Sequence, residues 1–221
     1  MPMTTPPVDR AARRRSLQTL AGAGTLLALP SLALAQLPGM TEGPFYPSAE
    51  WRSRQLDWDA DLTRVTRAAS REAPRAAGEW LDLGGRVVDA RGRPIDGAEI
   101  EIWQCDVYGS YRHPRGAGSR VDEAFQGFGS TRSDAQGLYR FRTIKPVPYP
   151  GRTPHIHVRL RHASFGEVTS QLFVAGEPGN ARDGIYRSLA AAERAWVDMP
   201  LQKAPTGSPV VWVAERALAV G

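Results

Sequence analysis

The fold is decided by one stretch of the sequence, WLDLGGRVVDARGRPIDGAEIEIW, which spans residues 80–103. Between residues 98 and 102, alanine and isoleucine alternate with glutamate. Because successive side chains of a strand point to opposite faces, this alternation predicts a strand with one buried face. The sequence RGRP at residues 91–94 is a turn signal that separates this strand from an earlier one ending at Asp89. The stretch therefore predicts two strands joined by a turn.

The same arrangement of turns and strands recurs along the chain. A second turn, DAQG at residues 134–137, leads into the apolar and aromatic run 138–143. Further strands are predicted at residues 155–160 and 169–174, and the closing segment 209–218 is predicted to begin as a strand. Strands at this spacing, separated by Gly and Asp turns, are typical of an antiparallel β-sandwich. The predicted fold class is therefore all-β.

The length of 221 residues suits one domain with an appended arm. Residues 36–78 are predicted to form an extended, proline-punctuated arm and an irregular segment, and residues 51–78 are interpreted as a solvated connection. Residues 79–221 are predicted to form the β-sandwich domain. Near the C-terminus one helix is predicted over residues 185–197, with Asp183 as its N-cap.

The first 35 residues are interpreted as an export signal. A basic stretch around Arg13 and Arg14 precedes an apolar run over residues 20–34, which is followed by small residues before Gln36. Glycines and a proline interrupt this run, and it is short for a membrane span, which needs about 20 apolar residues. The segment resembles a twin-arginine export signal, with an ordinary secretory signal as the alternative. We therefore expect a periplasmic or secreted protein without stable membrane insertion after cleavage.

The net charge falls when the predicted export signal, residues 1–35, is excluded. The whole chain carries 28 basic and 23 acidic side chains, a net charge of +5. Without residues 1–35 the net charge is +2 over 186 residues, which gives little support to nucleic-acid binding. The single cysteine, Cys105, excludes an internal disulfide and a thiolate-rich zinc or iron–sulfur site.

Candidate metal ligands are concentrated around His155 and His157. In a strand, side chains at i and i+2 leave the same face about 7 Å apart, so both imidazoles can reach one ion. The alternative is a polar strand face with two exposed histidines. Carboxylates do not cluster nearby, and the oxygen candidates are Tyr111 and Tyr149. Two phenolates with two neutral imidazoles favour a hard trivalent ion such as Fe(III). Spacing alone does not separate these tyrosines from three others: Tyr46, Tyr108 and Tyr139.

Six motifs follow one another between residues 40 and 175. They are TEGPFY at 41–46, WQ at 103–104, GSYRH at 109–113, GLYRFRTIKP at 137–146, PYP at 148–150 and RTPHIH at 152–157. Their set and order resemble the intradiol ring-cleavage dioxygenases, most closely the protocatechuate 3,4-dioxygenase type. The resemblance implies a β-sandwich core with a mononuclear non-haem Fe(III) site.

The resemblance also implies residue roles. Tyr149 is similar to the tyrosinate that leaves iron when substrate binds. Arg152 matches the arginine that stabilises charge on the bound ring, and Gln171 matches a glutamine that lines the active site. The implied iron ligands are Tyr111, Tyr149, His155 and His157.

The implied activity is cleavage of a catechol-type ring between its two hydroxyl-bearing carbons by O2, giving a cis,cis-muconate-type diacid. The six-residue step from Tyr149 to His155 is shorter than in those enzymes, so the pocket wall is expected to be trimmed. Catechol, protocatechuate, hydroxyquinol and a bulkier phenolic all remain candidate substrates, and a homo-oligomer is compatible with the resemblance. The alternative function is that of a secreted, non-enzymatic transthyretin-like binding module, which residues 85–98 and 134–139 also resemble.

Overall fold

The computed structural model describes residues 36–53, 57–65, 74–116 and 118–221. The predicted export signal, residues 1–35, lies outside the described residues. In chain order the described strands are β1 (Trp80–Asp89), β2 (Glu99–Trp103), β3 (Phe128–Arg132), β4 (Leu138–Ile144), β5 (His155–His162), β6 (Gly166–Val174), β7 (Asp198–Met199), β8 (Gln202–Lys203), β9 (Trp212–Glu215) and β10 (Leu218–Val220).

These strands form two five-stranded sheets. In the first sheet, β1 pairs antiparallel with β4 and parallel with β9 and β10, and β8 lies beside β9. The second sheet has the order β3-β2-β5-β6-β7, in which β2, β3, β5 and β6 pair antiparallel and β7 pairs parallel with β6. The all-β prediction is confirmed. The parallel pairs were not predicted, because they depend on long connections that return the chain to the sheet in the same direction.

The core is built from alternate side chains of the facing sheets. Leu81 and Leu83 of β1 are buried in one cluster with Ile100 and Ile102 of β2 and with Phe141 of β4. Leu81 and Leu83 are two positions apart on β1, as are Ile100 and Ile102 on β2, and Phe141 lies opposite Leu83 in the β1–β4 ladder. This spacing is the one that a strand with period two requires. The predicted buried face of residues 98–102 is therefore confirmed.

The irregular segment before β1 is not a solvated connection throughout. Leu62 and Thr63 are fully buried. Residues 57–65 bridge the two sheets, since Ser130 of β3 donates to the carbonyl of Trp58 and Arg142 of β4 donates to the carbonyl of Ala60. The interpretation of residues 51–78 as solvated is wrong for this part, because the segment closes the edges of β3 and β4.

The predicted helix over residues 185–197 is two helices. The described α-helices are α1 (Ala49–Arg52), α2 (Gly184–Ser188) and α3 (Ala191–Val197). Leu189 and Ala190 are extended, and the N–H of Ala190 donates to the carboxylate of Glu193, which starts α3 anew. Asp183 caps α2 as predicted, accepting hydrogen bonds from the backbone of the first turn. No helix in the described ranges is long and apolar enough to cross a membrane.

The N-terminal arm covers the outer face of the second sheet. Glu101 of β2 points away from the core yet is only 2% exposed. The hydroxyl of Tyr46 donates to it over 2.7 Å, and Arg52 of α1 forms an ion pair with it at 2.6 Å. The guanidinium of Arg159 stacks on the Tyr46 ring at 3.9 Å from the ring centroid. The arm therefore buries a second face of β2, where the alternation had predicted one.

Candidate metal centre

The two histidines at the start of β5 point their Nε2 atoms at the same place. His155 and His157 are each 2% exposed, and the two Nε2 atoms are 3.2 Å apart. The Nδ1 atom of His155 lies 2.6 Å from the carbonyl oxygen of Thr153. Because a carbonyl oxygen only accepts, Nδ1 of His155 carries the proton and its Nε2 presents a lone pair. The alternative of two exposed histidines is excluded by their burial.

Both imidazoles are held in the neutral form. Burial, together with the charge of Arg152, lowers the pKa of His155 to about 4. Burial also lowers the pKa of His157 well below its usual value, with smaller contributions from His155 and Arg152. The neutral imidazole is the form that binds metals, so both side chains are ready to act as ligands.

The separation of the two Nε2 atoms fits one shared ion. Two nitrogens that bind one metal at about 2.1 Å each, roughly at right angles, lie about 3 Å apart. The observed 3.2 Å agrees with this value. The ring of His157 is fixed by Trp103, which lies opposite it in the β2–β5 ladder and stacks on it at 4.8 Å with an interplanar angle of 9°.

Tyr111 reaches the histidines from the loop that follows β2. The buried carboxylate of Asp106 organises this loop by accepting hydrogen bonds from the backbone N–H groups of Tyr108, Ser110 and Asp122. Such side chain-to-backbone bonds set a loop conformation that regular secondary structure does not provide. The loop can therefore hold the Tyr111 ring in a fixed position.

The Tyr111 phenol is buried without a hydrogen-bond partner. Tyr111 is 3% exposed, its ring stacks on Phe45 at 4.6 Å, and it meets the His157 ring edge-to-face at 6.3 Å. Its Oη atom makes no hydrogen bond of ordinary geometry among the described residues, and the hydroxyl that influences it is that of Tyr149, which helps to raise its pKa. Leaving a buried polar group unpaired costs about 1–3 kcal/mol, so this oxygen is a candidate for a ligand that the protein atoms do not supply.

Tyr149 enters from the other side of the histidines. It forms an isolated bridge with Arg152, and its ring lies 5.5 Å from both the Tyr111 and His155 rings. Gly109 lies against it with φ +79°, and a Cβ at Gly109 would be 3.3 Å from Cβ of Tyr149. The Tyr111 loop can therefore close on Tyr149 only because glycine stands at this position.

Burial raises the pKa of both phenols. For Tyr111 the pKa is well above 10, with burial as the main cause and the neighbouring Tyr149 adding to it. For Tyr149 burial also raises the pKa, while Arg152 acts in the opposite direction. Both phenols are therefore protonated unless a strong positive charge lies between them, and a metal cation is the charge that can lower both pKa values.

The donor set fits a hard trivalent ion. Two imidazole rings and two phenol rings lie in contact with one another, and phenolates suit Fe(III) better than softer ions. In the described ranges, no three or more His, Cys, Asp and Glu side chains form another group that could hold a metal. The residues that fit Fe(III) are Tyr111, Tyr149, His155 and His157.

Arg152 connects these donors to a buried hydrogen-bond network. Its Nη1 atom donates towards the Tyr149 hydroxyl at 3.4 Å, and its Nη2 atom donates to the side-chain oxygen of Gln171 at 2.5 Å. Its Nε atom donates to Asp183 at 2.8 Å. The Gln171 amide in turn donates to the carbonyl of Thr41 in the arm at 3.2 Å. Gln171 therefore reaches Tyr149 through Arg152 and also ties the arm to the site.

A cavity of about 220 Å³ opens beside Tyr149 and Arg152. Of the four candidate metal ligands, Tyr149 is the one that lines it, so the cavity borders the candidate site. Its walls are Pro148, Tyr149, Gly151, Arg152, Thr153, Gly179, Arg182 and Asp183.

The structure brings together all six residues that the sequence analysis singled out. It also adds contributors that were not predicted. Phe45 and Trp103 pack on a candidate ligand each, and Asp183, predicted only as a helix cap, also binds Arg152. The aromatic residues lie within the quoted motifs, which was a usable signal, whereas nothing in the spacing of Asp183 indicated an arginine partner.

The other candidate tyrosines lie outside the donor set. Tyr139 donates to the backbone of Arg216, and Tyr108 is 38% exposed under the guanidinium of Arg120. Burial, with the neighbouring Asp106, raises the pKa of the Cys105 thiol to about 12, so this cysteine is not a nucleophile. Tyr46 donates to Glu101, so among these tyrosines Tyr111 and Tyr149 are the ones whose rings contact His155 or His157.

Comparison with known proteins gives consistent results. A family model described as "Dioxygenase" matches residues 58–205, more than half of the chain. The protocatechuate 3,4-dioxygenase beta chain of Burkholderia cepacia is 36% identical over 145 residues, which cover 62% of this chain and 60% of that protein. The hydroxyquinol 1,2-dioxygenase of Corynebacterium glutamicum is 31% identical over 136 residues, which cover 52% of this chain and 44% of that protein. The chain thus spans about half the length of these curated relatives.

A solved structure shares the fold. The dioxygenase domain of a dioxygenase carbohydrate-binding protein fusion from the cellulolytic bacterium Streptomyces sp. SirexAA-E superimposes with a TM-score of 0.62 at 24% identity. The superposition covers 84% of this chain and 98% of that one. At this identity the likeness concerns the fold alone.

Proposed function

Because the chain belongs to the dioxygenase family whose model matches residues 58–205, we propose that it is an intradiol ring-cleavage dioxygenase. It would cleave a catechol-type ring between the two hydroxyl-bearing carbons with O2 and release a cis,cis-muconate-type diacid. The cofactor in this proposal is one non-haem Fe(III).

One observation carries the proposal. Two neutral imidazoles with Nε2 atoms 3.2 Å apart face two phenols, one of which is buried with an unpaired oxygen. A transthyretin-like binding module has no need of a buried phenol without a partner, since an unpaired buried hydroxyl lowers stability. The four proposed ligands are Tyr111, Tyr149, His155 and His157.

The chain's own residues explain how substrate could be activated. Bound Fe(III) supplies a Lewis acid that makes catechol hydroxyls acidic and the aromatic ring reactive towards O2. Tyr149 would be able to hold a substrate proton on Oη, since burial raises the pKa of its free phenol. Arg152 supplies a fixed positive charge beside this oxygen, held by Gln171 and Asp183.

The test begins with the colour of the protein. Protein purified from iron-replete cells is expected to carry one iron per chain and to be red-brown, because tyrosinate bound to Fe(III) absorbs visible light. A colourless protein that takes up no Fe(III) on reconstitution would reject the proposal.

Oxygen uptake then identifies the activity. Catechol, protocatechuate and hydroxyquinol are added separately, and we expect O2 consumption with formation of a ring-opened diacid for at least one. Binding of iron and catechols without O2 uptake would identify a passive chelator instead.

We propose that the chain is exported by the twin-arginine route, because residues 1–35 combine Arg13-Arg14 with a short apolar run. Replacing both arginines by lysine is expected to stop export while leaving a Sec-exported control protein unaffected; continued export would identify an ordinary secretory signal. A homo-oligomer is part of the proposal and is measured by light scattering.

A further inference from the structure

We propose that Asp183 is a positioning residue for Arg152, whose carboxylate aims the guanidinium at Tyr149 and Gln171. This inference rests on the proposed function for its effect on turnover. The geometry of Arg152 itself can be tested without iron.

The two oxygens of the Asp183 carboxylate accept hydrogen bonds from different groups. Asp183 is 1% exposed, and its Oδ1 atom accepts from the backbone N–H groups of Ile185 and Tyr186 at 2.9 and 3.0 Å. Its Oδ2 atom accepts from Nε of Arg152 at 2.8 Å and from the backbone N–H of Thr153 at 3.0 Å. A helix cap requires only the first oxygen, so the second oxygen is left to serve Arg152.

The shape of the guanidinium makes this contact decisive. Its five N–H groups form a rigid planar fork, so fixing the direction of Nε also fixes the directions of both Nη atoms. With Nε held by Asp183, Nη1 faces the Tyr149 hydroxyl and Nη2 faces Gln171. Without the carboxylate, the guanidinium would keep its bond to Gln171 and the long 3.4 Å contact with Tyr149, neither of which is charge-assisted by a carboxylate.

The charge state of Asp183 agrees with this role. Burial acts to raise its pKa, but hydrogen bonds from Tyr186, Thr153 and Arg152 outweigh it and hold the pKa below its usual value. The carboxylate is therefore ionised, which makes its bond to Arg152 a charge-assisted one. The carboxylate also accepts from the backbone N–H of Thr153, and the carbonyl oxygen of the same residue, in the next peptide group, accepts the Nδ1 proton of His155.

The experiment separates positioning from capping by using Asp183→Ser. Serine is a good N-cap but is too short to reach Arg152, so α2 keeps its cap while Arg152 loses its partner. The matched control is Tyr186→Phe, which removes the bond from α2 to Asp198 without touching Arg152. Asp183→Asn serves as a second variant, since its amide places a donor against the Arg152 and Thr153 donors.

The first readout is the Nε–H of Arg152 in metal-free protein, followed by NMR of ¹⁵N-labelled arginine. We expect its hydrogen exchange to be at least about tenfold faster in Asp183→Ser than in the parent or Tyr186→Phe, because a charge-assisted bond is lost. Unchanged exchange in both Asp183 variants would overturn the proposal, and this result does not depend on whether the protein is a dioxygenase.

The second readout is turnover and colour in iron-loaded protein. Asp183→Ser is expected to bind iron, to shift the visible band, and to lower kcat about 10- to 100-fold with little change in KM. In an Arg152→Ala background the same substitution should have no further effect on kcat, because Asp183 acts through Arg152. A lowered Tm with unchanged band and kcat would show that Asp183 is only a helix cap.

Discussion

The two candidate tyrosine ligands differ in what surrounds their oxygens. Tyr111 is buried, stacks on Phe45 and has no hydrogen-bond partner for its hydroxyl in the described ranges. Tyr149 is only partly buried and has Arg152 at its hydroxyl. A phenol with a second partner and access to solvent can leave a metal at lower cost than one enclosed without either. If both bind a metal, we therefore expect Tyr149 to exchange more readily than Tyr111.

Phenylalanine substitutions test this difference. Tyr111→Phe is expected to lower iron affinity by more than the roughly 10- to 100-fold typical of outer partners, since it removes a ligand. Tyr149→Phe should retain iron but alter the visible band and slow substrate binding. Iron content, absorption spectra and stopped-flow mixing with catechol measure these effects.

The control for both variants is Tyr139→Phe, which removes a buried hydroxyl bonded to the backbone of Arg216, away from the site. It should cost about 1 kcal/mol of stability and leave the band unchanged. An unaltered spectrum in Tyr149→Phe would contradict its role as a ligand.

At the scale of elements, the site depends on segments that are neither helix nor strand. The arm covers Glu101 through Tyr46 and Arg52, and residues 57–65 seal the edges of β3 and β4. These segments bury backbone and side chains that would otherwise be exposed to water. The free energy gained by this burial offsets the loss of chain entropy on ordering the segments. They belong to the domain as much as the sheets do.

The buried part of the 57–65 segment can be tested by truncation. Leu62 is fully buried, so Leu62→Ala is expected to lower the free energy of unfolding by about 2–5 kcal/mol. Arg64→Ala, two residues away with a side chain 45% exposed, should change it by less than about 0.5 kcal/mol. Urea denaturation compares the two, and equal small effects would restore the interpretation of a solvated connection.

The pairing of β1 with β4 is predicted to depend on pH through Asp82. Burial acts to raise the pKa of this carboxyl, but hydrogen bonds from Arg142 and Arg140 hold it below its usual value. A folded-state pKa below the unfolded one means that the stabilisation is complete above about pH 4 and is lost as the pH falls through the folded-state value.

Asp82→Asn should therefore lower stability by about 1 kcal/mol at pH 7, and the difference from the parent should shrink below about pH 4. Urea denaturation of parent and variant at pH 7 and below about pH 4 measures the difference. A difference that stays constant with pH would exclude the ionised pairing as its source.

At the scale of the whole molecule, the proposed ligands come from parts of the chain that only the fold unites. Two lie on β5, one on the loop after β2 and one on the segment before β5. A metal bound to all three parts binds the folded chain and not the unfolded one, so it links metal affinity to global stability.

Iron should therefore raise the melting temperature. Free Fe(III) at about 100 times its Kd adds about 2.7 kcal/mol, which for a domain of this size corresponds to a Tm increase of roughly 5–10 °C. Calorimetry with and without a chelator measures the shift. The double variant His155→Ala/His157→Ala should show no change in Tm on adding iron. A Tm increase as large as that of the parent would show that iron binds elsewhere.

Much of the fold and the site was predictable because the signals are local. The alternation at residues 98–102 and the His155-x-His157 spacing each depend on the geometry of one strand. The failures involve distant partners. The continuous helix over residues 185–197 is broken at Leu189 and Ala190, and the segment around Leu62 is buried because β3 and β4 need covering.

The amino-acid sequence by itself determined the strands β1, β2, β4, β5 and β6 and the cap at Asp183, since these are patterns over a few residues. It also determined the two histidines on one face and the motifs that resemble the dioxygenases. The short strands β3, β7 and β8 were not predicted. Only the tertiary structure decided which tyrosines approach the histidines and that Tyr111 keeps a buried oxygen without a partner. It also decided that the capping carboxylate of Asp183 holds Arg152. The physical reason is that burial and hydrogen bonding between residues far apart in sequence depend on the path of the whole chain, which no local period records.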